Sequence, residues 1–221
     1  MIGERILIAA VLAGEKEKIL SMAEKAKADG ADILELRFDR IDIKDREASD
    51  LARLIKEEIH LPIIGTKRPR EKEERGRFFE GVIPFVDAVD LEEEEDVADI
   101  LKMTKLSRKK VILSHHNYKE TPDMDGLKRL LSSMLEKGAD IVKLATFVEK
   151  REEIVRLLLL TAEWRETPII TIGMGKAGSI TRIVAPLFGS CITYGYIDRP
   201  QAPGQLSVKT LRKELLKFGI A

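Results

Sequence analysis

The chain has 221 residues, enough for one substantial core and within the usual length of an α/β barrel, but cramped for two independent domains. With 44% hydrophobic and 34% charged residues, the composition is that of a globular protein and excludes a disordered chain. Lysine plus arginine balance aspartate plus glutamate at 38 each, so no global field draws nucleic acid or an anionic membrane, and a small molecule is the expected partner.

At the start, Glu4 and Arg5 precede a short apolar run, which lacks the order and length of a secretion signal. No run approaches the roughly 18 apolar residues of a membrane span. The single cysteine, Cys191, cannot form an intramolecular disulfide or a cysteine-rich zinc site, and a reducing cytoplasm fits it best. No metal and no organic cofactor are expected.

Short β-branched runs then alternate with helical stripes, the pattern of parallel strands joined by crossover helices. Strands are expected at 6–11, 32–39, 62–68, 88–92, 111–116, 140–146, 169–174 and 191–196. Between the first two, Ile19, Met22, Ala23 and Ala26 recur at helical spacing, with Gly30 as a C-terminal stop. Ala48, Leu51, Ala52, Ile55 and Ile59 form the next stripe. The charged stretch 68–77 leaves little room for a full helix and is expected to be a mobile loop. Val97, Ile100 and Leu101 mark a helix after the fourth strand. Leu127, Leu130, Leu131, Met134 and Leu135, with Gly138 beyond, mark one after the fifth. Residues 154–164 supply another. Ile180, Ile183, Val184 and Leu187 follow the seventh strand, where Pro186 should end or bend the helix. Val208, Leu211, Leu215 and Phe218 close the chain. No repeat or linker divides this series, so the expected architecture is one closed (β/α)8 TIM barrel, a single domain over residues 1–221.

Such barrels carry their sites at the carboxyl ends of the strands, so polar residues late in apolar strands are the candidates. In the second strand Glu35, Arg37 and Asp39 share a face by period two. Thr66 and Arg68 share one in the third, and Asp90 and Glu92 in the fourth. In the fifth, His116 lies with Ser114, while His115 points oppositely. These charges also read as a structural salt-bridge network at the barrel mouth. His60, between a helix and a strand, reads as structural.

Lys143 stands out within an otherwise apolar strand, Asp140-Ile141-Val142-Lys143-Leu144-Ala145-Thr146. Burial disfavours an ammonium, and a lysine in such a place suits Schiff-base chemistry. The alternative is a lysine neutralised by Glu35, Asp39 or Glu92 in a structural pair. One helix separates His116 from Lys143, so the two fall on adjacent strands. The glycine turn Gly173-Met174-Gly175-Lys176-Ala177-Gly178 opens a helix that carries Arg182, a residue able to reach a carboxylate. Residues 199–205 read as a constrained loop, either a lid or an ordinary connection.

Together these residues resemble the type I 3-dehydroquinate dehydratase family. Glu35-Leu36-Arg37-Phe38-Asp39 is similar to its E-x-R-x-D strand, and Ser114-His115-His116-Asn117-Tyr118 through Thr121-Pro122 to its S-x-H-[DN]-[FY] segment. Lys143 falls at the imine lysine. Met174 to Gly178, Arg182, Phe188-Gly189-Ser190, Tyr194-Gly195 and Ala202-Pro203-Gly204-Gln205 follow the closing pattern. The resemblance implies an imine between Lys143 and the C3 ketone, with His116 as general base and acid for syn loss of the C1 hydroxyl. It also implies substrate contacts from Glu35, Arg37, Arg68, Met174, Tyr194, Gln201 and Gln205, with the carboxylate on Arg182. Gln201 stands where many members have serine. The family also sets a glutamate beside its histidine, for which Glu71, Glu73 and Glu74 are candidates here. Family members are often homodimers, but no surface pattern marks an interface. Outside the family, a class I aldolase-like barrel and a non-catalytic barrel that binds a polar metabolite remain as alternatives.

Overall fold

The computed structural model describes residues 2, 6–68, 72–93 and 96–220, without the side chains of Lys72 and Glu73. Parallel strands alternate with helices in the order β1 (Leu7–Glu15), α1 (Ile19–Ala28), β2 (Ile33–Asp42), α2 (Asp45–Ile59), β3 (Ile63–Thr66), α3 (Lys72–Val82), β4 (Ala88–Glu92), α4 (Ala98–Leu106) and β5 (Lys110–Asn117). There follow α5 (Met124–Glu136), β6 (Ile141–Phe147), α6 (Arg151–Glu163), β7 (Ile169–Met174), α7 (Gly175–Gly178), α8 (Thr181–Val184), β8 (Ile192–Tyr196), β9 (Leu206–Ser207) and α9 (Val208–Lys217).

The sheet runs β7-β6-β5-β4-β3-β2-β1-β8-β9. It closes on itself where Ile169 bridges Ser190 and the Cys191 N–H donates to the Ile169 carbonyl at 2.8 Å. The fold is therefore a (β/α)8 barrel, with β9 a short parallel addition that returns the chain from the loop after β8 to the sheet at Gly195 and Tyr196.

Two apolar layers hold it together. Alternate strand residues such as Ala9, Ile33, Ile64, Ala88, Ile112, Ile141, Ile170 and Ile192 fill the barrel interior. The opposite faces pack against the helices, where α2 buries Ala48, Leu51, Ala52, Ile55 and Ile59, the stripe expected from the sequence. Each large side chain buried in this way stabilises the fold by roughly 1.5–3 kcal/mol. Among the described residues no helix is long and apolar enough to cross a membrane.

The structure corrects three expectations. Much of the stretch 68–77, expected to be a loop, belongs to α3, because Phe78, Phe79 and Val82 give it an apolar face that is buried against the sheet. Residues 69–71 lie outside the described part. The single helix expected after β7 is instead the short α7 and α8 followed by a 3₁₀ turn at 185–188 that carries Pro186, and Ile180 and Leu187 are exposed. Phe218 lies past the end of α9 and faces solvent, so it does not join the stripe of Val208, Leu211 and Leu215.

Candidate active site

Above the apolar floor of the barrel the inward positions turn polar. Glu35, Thr66, Asp90, Ser114 and Lys143 are all nearly fully buried, one from each of β2 to β6. The Thr66 hydroxyl donates to Glu35 Oε1 at 2.8 Å. Asp90 is the hub: it accepts from Lys143 Nζ at 2.8 Å, from Arg68 Nη2 at 2.8 Å and from the Ser114 hydroxyl. Burial pushes the Asp90 carboxyl up, but Arg68, Lys143 and His116 outweigh it and hold the group well below the usual carboxylate range. Asp90 is thus an anion at any working pH.

The partner of Lys143 is Asp90, not Glu35, Asp39 or Glu92 as the sequence suggested. Beneath the ammonium lies the Tyr194 ring, whose centroid is 4.2 Å from Nζ, a cation–π geometry.

His116 stands on β5, adjacent to β6, with Ser114 and Lys143 paired across the ladder one step below. Its Nδ1 lies 2.9 Å from Glu92 Oε2, and its backbone N–H donates to Glu92 Oε1 at 3.0 Å. Burial lowers the His116 pKa below the ordinary 6.5; the bond to Glu92 opposes that shift and Lys143 reinforces it. With Nδ1 committed to Glu92, Nε2 is the nitrogen left for proton transfer. The histidine's glutamate is accordingly Glu92. Glu74 is exposed, while Glu71 and the Glu73 side chain lie outside the described residues. His115 faces the other side of the strand, its Nδ1 3.4 Å from Glu93, and takes no part in this cluster.

At the rim, Arg37 is held by Asp39 through two bonds of 3.0 and 2.7 Å. Arg68 also reaches Glu92 at 3.3 Å. Arg182 differs from both. It is 2% exposed, donates to the carbonyls of Gly204 at 3.1 Å and Tyr194 at 3.3 Å, and has no acidic partner among the described residues. Burial alone lowers its pKa to about 10. The structure thus holds a desolvated cation with room for an anion.

The loop after β8 folds over this floor. The Gln201 N–H donates to Gln205 Oε1 at 2.7 Å, Arg40 Nη1 donates to the Gln201 carbonyl at 2.9 Å, and Gly175 N–H donates to the Pro203 carbonyl at 3.2 Å. Gly204 has φ +71°, and a Cβ there would stand 2.2 Å from the Gly175 carbonyl oxygen, so only glycine permits this docking. Glu35, Arg37, Arg68, His116, Lys143, Met174, Arg182, Tyr194, Gln201 and Gln205, the residues to which the resemblance gave a role, line one cleft.

Two further polar residues line it, Arg40, which the sequence reading did not name, and Tyr118, which it named only within the motif of the fifth strand. Tyr118 follows His116 at the strand's own period and stacks on its ring, with centroids 6.2 Å apart, so alternation could have found it. Arg40 was hidden because the β1–β2 register slips between Leu12 and Gly14, which breaks the alternation of β2 at this point. The buried Cys191 has its thiol pushed up to about 12 by burial and remains protonated. Among the described residues no cluster of three or more His, Cys, Asp or Glu could hold a metal ion.

Comparison with known proteins accords with this geometry. The family model for type I 3-dehydroquinase matches residues 7–219. A 3-dehydroquinate dehydratase of Methanococcoides burtonii is 39% identical over 218 residues, covering 93% of each chain. The crystal structure of 3-dehydroquinate dehydratase from Geobacillus kaustophilus superposes with a TM-score of 0.91 at 28% identity, covering 98% of this chain and 92% of that one. A type I enzyme from Clostridium difficile, crystallised with covalent modified comenic acid, gives 0.88 at 27% identity, covering 98% and 94%. This chain belongs to the type I 3-dehydroquinase family.

Proposed function

We propose that the chain removes water from 3-dehydroquinate to form 3-dehydroshikimate through an imine on Lys143, with His116 moving the proton. The observation that carries this reading is a buried lysine lining the cleft, paired with Asp90, beside a histidine whose Nδ1 is anchored by Glu92.

Charge bookkeeping favours the first step. An ammonium and a ketone give a protonated imine and water, and two of the three ammonium protons leave with the carbonyl oxygen. The nitrogen is cationic before and after, so Asp90 and the Tyr194 ring stabilise both ends of the step without rearranging. The iminium then acts as an electron sink that acidifies C2. Neutral imidazole, which burial favours, takes that proton on Nε2 and returns one to the departing C1 hydroxyl, so a single group on one face accounts for syn loss. Hydrolysis of the imine releases the enone and restores the lysine.

Arg182 fits the substrate carboxylate, because a buried cation with no acidic partner among the described residues gains most from an anion. Arg37, Arg68 and Glu35 offer donors and acceptors for ring hydroxyls, and Gln205, Gln201 and Met174 close the cleft above them. The covalent species described for the Clostridium difficile relative is in keeping with a nucleophile in such a cleft. The test is to mix the protein with 3-dehydroquinate and follow the ultraviolet absorbance of the conjugated enone. Growth of that absorbance is expected, and its absence would defeat the reading.

A further inference from the structure

The Tyr194 hydroxyl is the unusual atom of the site. Tyr194 is 3% exposed, and its hydroxyl is buried without a hydrogen-bond partner among the described residues. Buried phenols ordinarily find a partner, because an unmade bond leaves the desolvation of the donor uncompensated. The placement follows from the strand ladder. Tyr194 pairs across the ladder with Ala9 of β1, whose methyl group leaves the lumen open for the ring to lean under Lys143.

The charged groups near the hydroxyl are Glu35 from β2, Asp90 from β4 and Arg68 beyond β3, with Cys191 on the approach to its own strand. Glu35 and Asp90 do not bond it, being engaged by Thr66 and by Lys143, Arg68 and Ser114. Burial, followed by these two carboxylates, raises the phenol well above its ordinary value, so it keeps its proton and can donate. The ring and the lysine line the same cleft.

We propose that the Tyr194 hydroxyl donates a hydrogen bond to the substrate oxygen that departs as water when the imine forms on Lys143. This inference rests on the imine reading. In the step the carbon–oxygen bond breaks, the nitrogen lone pair completes the carbon–nitrogen double bond, and the oxygen leaves with two protons that came from the ammonium. Tyr194 keeps its own proton throughout, so the balance of the step does not depend on it. The donor meets its acceptor only when a ketone is bound at Nζ. Product and substrate both present that ketone, so the same bond serves imine formation from either side.

Tyr194→Phe keeps the ring beneath Nζ and removes only the hydroxyl. In a single-turnover experiment, parent and variant are mixed with 3-dehydroquinate, or separately with 3-dehydroshikimate, and quenched at intervals with borohydride. Mass added to the peptide containing Lys143 measures the imine. The expected result is imine formation slowed by about fivefold or more with both compounds, the loss of roughly one hydrogen bond. The melting temperature without ligand should be unchanged or higher, because an unpaired buried donor has been removed. A rate within about twofold of the parent overturns the inference, whatever the melting temperature. So does a slower rate accompanied by a fall in melting temperature of several degrees, since the hydroxyl would then be a structural bond of the free protein. If the parent itself gains no mass, the imine reading fails first and the Tyr194 role goes with it.

Discussion

Replacing Arg182 with methionine should separate the cost of a buried charge from its use. Burial alone takes the guanidinium from 12.5 to about 10, which corresponds to a penalty of about 3 kcal/mol on the charged form in the free protein. Because the folded value is the lower one, that penalty is complete at every pH below about 10 and fades only above it. Arg182→Met removes the penalty, and also the bonds to the Gly204 and Tyr194 carbonyls, worth about 1 kcal/mol each. The unliganded variant should therefore lie within about 1–2 kcal/mol of the parent, whereas breaking a buried ion pair costs about 3–5 kcal/mol. Against substrate the loss is one charge-assisted contact of about 1.5–3 kcal/mol, so KM should rise about 10-fold to 150-fold. Urea unfolding without ligand and initial rates over a range of 3-dehydroquinate concentrations measure the two quantities. A variant destabilised by more than about 3 kcal/mol with an unchanged KM would show that Arg182 is a strut for the lid, and the carboxylate assignment would fall.

Other outcomes follow from the same geometry. His116, lowered by burial against the opposing bond to Glu92, should be neutral at pH 7, so kcat/KM should decline with acidity only below about 6.5. Glu92→Gln removes the charge that favours the imidazolium and should move that acid limb to lower pH; a move upward would contradict the assignment. Gly204→Ala forces a Cβ against the Gly175 carbonyl at a positive φ, and should raise KM at least tenfold by undocking the loop, an effect absent if the loop is a mere connection. Phe79→Ala should cost about 3–5 kcal/mol in denaturant unfolding if α3 packs as a core element, and far less if that stretch behaves as a loop.

Strand alternation made most of the site legible. It placed Glu35 with Arg37, Thr66 with Arg68, and Ser114 with His116, and it turned His115 outward, as the structure has them. What alternation could not supply is height around a closed barrel. In the ladder Lys143 stands level with Ser114 and Glu92, yet it bonds Asp90. A level path round an eight-stranded barrel of shear eight slips about one residue per strand, so two strands away the true neighbour lies two residues lower. The histidine's partner, Glu92 on β4, was sought in the charged stretch after β3 because the resemblance pointed there. The helix α3 was missed because its charge dominated the reading, although Phe78, Phe79 and Val82 carry helical spacing. The loss of alternation at the end of β2, and with it the inward turn of Arg40, depends on a register slip that only the paired strands reveal.

The central claim is a covalent bond between substrate and Lys143, and reductive trapping tests it most directly. Borohydride added with 3-dehydroquinate should increase the mass of the peptide spanning residues 140–146 in the parent chain and leave Lys143→Ala unlabelled and inactive. His116→Ala should still be labelled while its turnover falls by roughly 10² to 10⁴, the usual loss on removing a general acid or base. A Lys143→Ala protein that remains fully active, or a parent that gains no mass at Lys143 while turning over substrate, would contradict the account.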